Sequence, residues 1–118
     1  MATDFSQLHL LERAIAAASN GIVITDADPQ NPIIYCNRAF EKVTGYTSQG
    51  VVGRNCRFLQ GPDTDPQTLE QIRNALRQEQ EIKVVLKNYR KDKTTFWNEL
   101  TISPVRDTNG KLTHFIGV

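Results

Sequence analysis

The spacing of apolar residues changes near residue 20, and that change divides the chain. Over residues 4–18 (DFSQLHLLERAIAAA), Leu8, Leu11, Ile15 and Ala18 recur three and four apart, which predicts an amphipathic helix with one apolar stripe. Asp4 followed three residues on by Gln7 is a capping-box pattern, and Ser19-Asn20 brings the helix to an end. Two readings fit the stripe: a helix packed on its own domain, or a dimer or output helix. Residues 1–19 are therefore set apart as an N-terminal element and 20–118 as the main domain.

From Asn20 onward short β-branched runs alternate with turn chemistry. Gly21 to Thr25 (GIVIT) reads as a strand, Asp26 to Pro32 as a turn, and Ile33 to Cys36 as a second strand. Asn37 can cap a short helix carrying Phe40 and Val43 that ends near Gly45. Segment 47–60 is short and irregularly helical. Asp65-Pro66 opens a longer helix with Leu69, Ile72 and Leu76 on one face. Strands at about 81–90, 94–105 and 111–118 follow, joined as hairpins at Lys91-Asp92-Lys93 and Asp107-Thr108-Asn109-Gly110. Two strands, several short helices and a three-stranded meander make an α+β domain, an antiparallel sheet with helices on one face.

Composition narrows the function classes. At 118 residues the chain is the size of one domain, and 39% hydrophobic with 23% charged residues is ordinary for a globular protein. A net charge of +1 without a basic block disfavours nucleic acid or an anionic membrane as partner. Apolar runs fall far short of the ~20 residues of a membrane span. No basic region precedes an apolar core at the N-terminus, so the expected location is cytoplasmic. Cys36 and Cys56, twenty apart and without paired histidines, do not make a zinc site, so no metal is expected and both thiols are read as reduced.

The candidate chemistry comes from polar residues on apolar faces. Alternate strand residues share a face, so Asn88 follows Ile82, Val84 and Leu86 on theirs, and Asn98 sits between Phe96 and Leu100. A buried amide without partners costs about 1–3 kcal/mol. These two either satisfy each other and the backbone, or meet the edge of a planar ligand offering alternating donors and acceptors. In Gly53-Arg54-Asn55-Cys56-Arg57-Phe58-Leu59-Gln60, a helical turn would place Cys56, Leu59 and Gln60 on one side. Arg57, and Arg73 on the following helix, could grip a phosphate, since no glycine-rich phosphate loop is present. Taken singly, each arginine reads as a solvated charge and Cys56 as a buried inert thiol.

Taken together, these residues resemble the light-oxygen-voltage (LOV) branch of the PAS superfamily, flavin-binding blue-light sensors, from about Gly21 to Val118. The most specific stretch is Gly53 to Gln60 followed by Gly61-Pro62. Further matches are Asn31-Pro32-Ile33-Ile34, Asn88-Tyr89-Arg90-Lys91, Phe96-Trp97-Asn98, Pro104-Val105-Arg106-Asp107 and Phe115-Ile116-Gly117-Val118. The resemblance implies a five-stranded PAS sheet in the order 2-1-5-4-3 whose helices enclose one FMN. It implies that Cys56 is the photoactive cysteine, adding reversibly to the flavin C4a carbon. Asn55 and Gln60 then correspond to ligands of the ribityl chain and ring carbonyls, Arg57 and Arg73 to phosphate ligands, and Asn88 and Asn98 to the amides on the pyrimidine edge. Val23, Thr25, Asn31, Leu59, Leu100, Phe115 and Gly117 correspond to residues packed round the ring. Cys36 matches no functional cysteine and is read as core. In this family a glutamine directly follows the Phe-Ile-Gly-Val that occupies 115–118 here, facing flavin N5 and O4 at period two.

The expected function is a blue-light photosensor rather than an enzyme, relaying a change through the sheet to flanking helices or an effector. It would be either a stand-alone sensor or the sensory part of a larger protein, with homodimerisation through the N-terminal helix or the sheet as the partner expectation. Two other classes compete. A PAS interaction module without flavin leaves the joint occurrence of Cys56, Gln60, Arg57 and Arg73 without a reason. A thiol enzyme or flavin oxidoreductase lacks a Cys–His pair, His9 lying in the N-terminal helix and His114 in the last strand.

Overall fold

The computed structural model describes residues 5–118. In chain order the elements are α1 (Phe5–Ala17), β1 (Val23–Asp26), β2 (Ile33–Cys36), α2 (Arg38–Thr44), α3 (Ser48–Val51), a 3-10 turn (Cys56–Leu59), α4 (Pro66–Arg77), β3 (Ile82–Tyr89), β4 (Thr95–Arg106) and β5 (Leu112–Gly117). The strands form one antiparallel sheet in the order β2-β1-β5-β4-β3. This is the expected α+β PAS architecture. The first and last strands pair near the centre, while α2 to α4 carry the chain from the β2 edge to the β3 edge.

Local chemistry sets most of the boundaries. Asn37 caps α2 by accepting from the Phe40 N–H at 3.1 Å, and Gly45 closes that helix with φ +80°, a conformation glycine takes without strain. Asp65 caps α4, with Pro66 at its first position. The first strand begins at Val23 rather than Gly21, because Gly21 backs onto α2 and the Ile22 N–H bonds the Asn37 side chain at 2.8 Å. A Cβ at Gly21 would lie 3.3 Å from the Phe40 Cα. Residues 56–59 form a 3-10 turn, so Cys56 and Leu59 come nearly into line, three to a turn.

The buried cluster consists of Ile33, Cys36, Phe40, Val51 and Leu59, with Val23, Tyr46, Cys56 and Phe58 packed against it. Cys36 is thus a core residue, as its sequence context suggested. In the N-terminal stripe Ile15 and Ala18 are half-buried, whereas Leu11 is 56% exposed, as is its neighbour Leu10 at 67%. The domain covers only the C-terminal end of α1. Asp4 and the side chain of Leu8, also expected in that capping and packing, lie outside the described residues. No helix among the described residues is long and apolar enough to cross a membrane.

Candidate functional site

Between the inner face of the sheet and the helices lies a cavity of about 790 Å³. All fourteen residues singled out from the sequence line it: Cys56, Val23, Thr25, Asn31, Asn55, Arg57, Leu59, Gln60, Arg73, Asn88, Asn98, Leu100, Phe115 and Gly117. Strand alternation puts Val23, Thr25, Phe115 and Gly117 on the inner face of β1 and β5. Leu69, Ile72 and Leu76 of α4 close the opposite wall. Gly117 leaves the floor open, since a methyl there would come within 3.0 Å of Val23 Cγ1 and 3.5 Å of Leu100 Cδ1.

The two sheet amides stand diagonally. Asn88 pairs with Phe96 and Asn98 with Leu86, and the Asn98 Nδ2 donates to the Asn88 Oδ1 at 2.9 Å. Asn88 in turn donates to the Leu59 carbonyl at 3.2 Å, linking the sheet to the 3-10 turn. Both alternatives raised by the sequence are therefore compatible: the amides satisfy each other, yet each retains unused bonding capacity at the cavity wall. Among the described contacts the Asn98 Oδ1 accepts no hydrogen bond.

The 3-10 turn carries the thiol. Asn55 caps it, its Oδ1 accepting from the Arg57 N–H at 2.9 Å, while its Nδ2 donates to the Gln30 carbonyl at 2.7 Å. Arg54 stacks over Phe58, 4.4 Å from the ring centroid, and Phe58 meets Tyr46 edge-on. On the other side Gly61 and Thr64 pin the turn to β3. Thr64 Oγ1 donates to the Lys87 carbonyl and accepts from the Gly61 N–H, and the Asp63 N–H donates to the Tyr89 hydroxyl at 2.9 Å. Cys56 is thereby held on a stiff support facing the cavity. Burial, with Cys36 nearby, pushes its thiol up to about 11. The sulfur is a protonated thiol at neutral pH, unlike the thiolate of a cysteine nucleophile.

The two cations of the cavity wall have local partners. Arg57 reaches the Gln30 Oε1 at 3.4 Å, and Arg73 pairs with Glu70 at 2.7 Å. Asn31 takes a left-handed conformation (φ +46°), held by its Nδ2 bond to the Asp26 carbonyl at 3.1 Å. Phe40 and Val43 of α2 and Gly21 also line the cavity and were not among the expected site residues. Three-residue spacing on one helix face was the available signal for the first two.

These residues suit a flat, partly polar ligand with an anionic tail. Apolar side chains from the sheet and from α4 line it together with the two sheet amides and two guanidiniums, the mix common to small-ligand sites. That chemistry fits an isoalloxazine ring with a ribityl phosphate.

Comparison with known proteins points the same way. A family model described as a PAS domain matches residues 19–118. The chain is 44% identical over 117 residues to a blue-light photoreceptor of Listeria monocytogenes, covering 98% of this chain and 46% of that protein. It is 51% identical over 88 residues to a blue-light-activated histidine kinase of Brucella anthropi, covering 75% of this chain and 18% of that one. The chain thus spans less than half the length of either relative. Among solved structures, the dark state of the LOV domain of the blue-light photoreceptor aureochrome superposes with a TM-score of 0.81 at 44% identity, covering 100% of this chain and 83% of that one.

Proposed function

We propose that this chain, which belongs to the LOV branch of the PAS superfamily of blue-light photoreceptors, binds FMN in the cavity and senses light through Cys56. The observation that supports this most directly is a single thiol on a rigid turn, facing a cavity lined by two sheet amides and two arginines. In this reading Asn88 and Asn98 turn their spare donors and acceptors to the ring edge, joined by Gln60. Val23, Thr25, Asn31, Leu59, Leu100, Phe115 and Gly117 pack on the ring, and Asn55 faces the ribityl chain. Arg57 and Arg73 exchange Gln30 and Glu70 for the phosphate.

When bound and excited by blue light, a flavin would supply an electrophilic ring carbon within reach of the Cys56 thiol and a ring nitrogen able to take its proton. The protein's own contribution is placement. It holds the Cys56 sulfur protonated and aimed into the cavity, which favours one geometry over many. No substrate is consumed, so the domain acts as a sensor. The histidine kinase among its relatives supports an effector segment or partner protein as the recipient of the change, with dimerisation through α1 or the sheet as its route.

The test is optical. Purified protein supplied with FMN should turn yellow, bleach under blue light and recover in darkness. Cys56→Ala should stay yellow and fluoresce without bleaching, and Cys36→Ala should behave as the parent. Bleaching and recovery in Cys56→Ala would remove Cys56 from the assignment. A protein that stays colourless with FMN would favour an interaction module.

A further inference from the structure

Glu70 sits about one helical turn before Arg73 on α4, outside the cavity wall that Arg73 helps to form. Its Oε2 accepts from the Arg73 Nε at 3.1 Å and from the Arg73 Nη2 at 2.7 Å. Those two donors make up one edge of the guanidinium fork, the kind of edge that grips an oxyanion bidentately. Arg73, and Arg77 one turn further on, hold the Glu70 carboxyl below the usual carboxylate range, so it is ionised at neutral pH. Both side chains of the pair are more than half exposed, Arg73 at 58% and Glu70 at 54%. Two other acids, Asp28 and Glu79, line a smaller cavity of about 430 Å³ together with Arg73 and Arg77. Glu79 is paired with Arg106 at 2.9 Å, whereas Asp28 accepts from the Gln30 N–H at 2.8 Å and has no cationic partner among the described ion pairs. An anion arriving at Arg73 therefore meets one edge already taken by a carboxylate, with a second carboxylate on the wall of the adjoining cavity.

Resting on the flavin reading above, we propose that Glu70 sets the phosphate specificity of the site by competing with the flavin phosphate for Arg73. The chain then discriminates less between FMN and riboflavin than its arginines alone would. The competition has the same sign whichever way the phosphate docks. If it takes the Nε–Nη2 edge, the ion pair with Glu70 is lost. If it takes the opposite edge, the carboxylate stays beside it as a like charge. At an exposed site each of these effects amounts to about a twofold factor in affinity. Riboflavin carries no phosphate, so neither effect reaches it.

The full chain, freed of flavin, should be titrated with FMN and with riboflavin by equilibrium dialysis at low ionic strength, where exposed charges act most strongly. The parent is compared with Glu70→Gln and Glu70→Ala. Glutamine removes the charge but keeps an oxygen that can accept from Arg73, while alanine removes both. Each variant should bind FMN about three- to fivefold more tightly and leave riboflavin within about 1.5-fold of the parent. FMN affinity unchanged in both variants, or an equal gain for both flavins, overturns the proposal. Weaker FMN binding in Glu70→Ala also overturns it, because Glu70 would then be positioning Arg73 for the phosphate. Failure of the parent to bind either flavin overturns the flavin reading, and the proposal with it.

Discussion

Asn37 offers the sharpest test of how the N-terminal segment is tied to the sensor domain. Its carboxamide is buried, 2% exposed, and makes four hydrogen bonds. The Oδ1 accepts from the Ile22 N–H at 2.8 Å and the Phe40 N–H at 3.1 Å. The Nδ2 donates to the Ile15 carbonyl at 3.1 Å and the Asn20 carbonyl at 3.0 Å. One side chain thus joins α1, the linker to β1 and the start of α2, and Phe40 lines the ligand cavity. Asn37→Ala removes all four bonds. Loss of the cap alone costs about 1 kcal/mol. Each other bond is worth roughly 0.5–1.5 kcal/mol net, and the buried Phe40 N–H would be left without a partner. The total is about 3–4 kcal/mol, which for a domain of this size lowers the melting temperature by roughly 10–15 °C.

Asn37→Ser separates the two roles, since a serine hydroxyl can still cap α2 but cannot reach α1. It should lose about 2 kcal/mol, less than alanine by roughly the value of the cap. Urea denaturation in saturating FMN gives the difference, with equal m-values showing that the denatured state is unchanged. Hydrogen exchange over 15–22 should rise in both variants, because those backbone groups lose their anchor. If alanine costs less than about 1 kcal/mol, or serine matches the parent, Asn37 is only a helix cap and the junction carries no stability.

Three further outcomes follow. Arg57→Ala with Arg73→Ala should weaken FMN by on the order of 10²–10⁴-fold and riboflavin far less, and equal losses on titration would remove the phosphate assignment. Because the Cys56 thiol is raised to about 11 in the folded protein, its contribution to stability is complete below the ordinary cysteine range and lost as pH climbs toward 11. Urea midpoints should fall more steeply over that window in the parent than in Cys56→Ala. Gly61→Ala would drive a Cβ into the Tyr89 ring, within 2.6 Å of its Cδ1 and Cζ; displacing that ring should slow the photocycle as well as lower the melting temperature, and an unchanged photocycle would show that Tyr89 does not position the Cys56 turn.

The asparagines show which parts of this site the sequence reveals and which it conceals. Asn88 and Asn98 were legible because a strand projects alternate side chains to one face, so a polar residue in an apolar row announces itself without knowledge of the partner strand. Their diagonal contact was not, since it depends on a register that sets Asn98 against Leu86. Asn37 was legible as a cap because that bond spans three residues, whereas its bonds to Ile15, Asn20 and Ile22 span 15 to 22 and depend on where α1 returns to the domain. Asn55 reads from the sequence as a ligand through the LOV resemblance, yet it also caps the 3-10 turn and grips the Gln30 carbonyl. A residue that shapes the turn under the thiol has reason to stand there with or without a ligand. Its value in the site therefore lies as much in holding Cys56 as in any contact with what fills the cavity. Local periodicity exposes residues placed by their own element, and it is silent on those placed by the meeting of two.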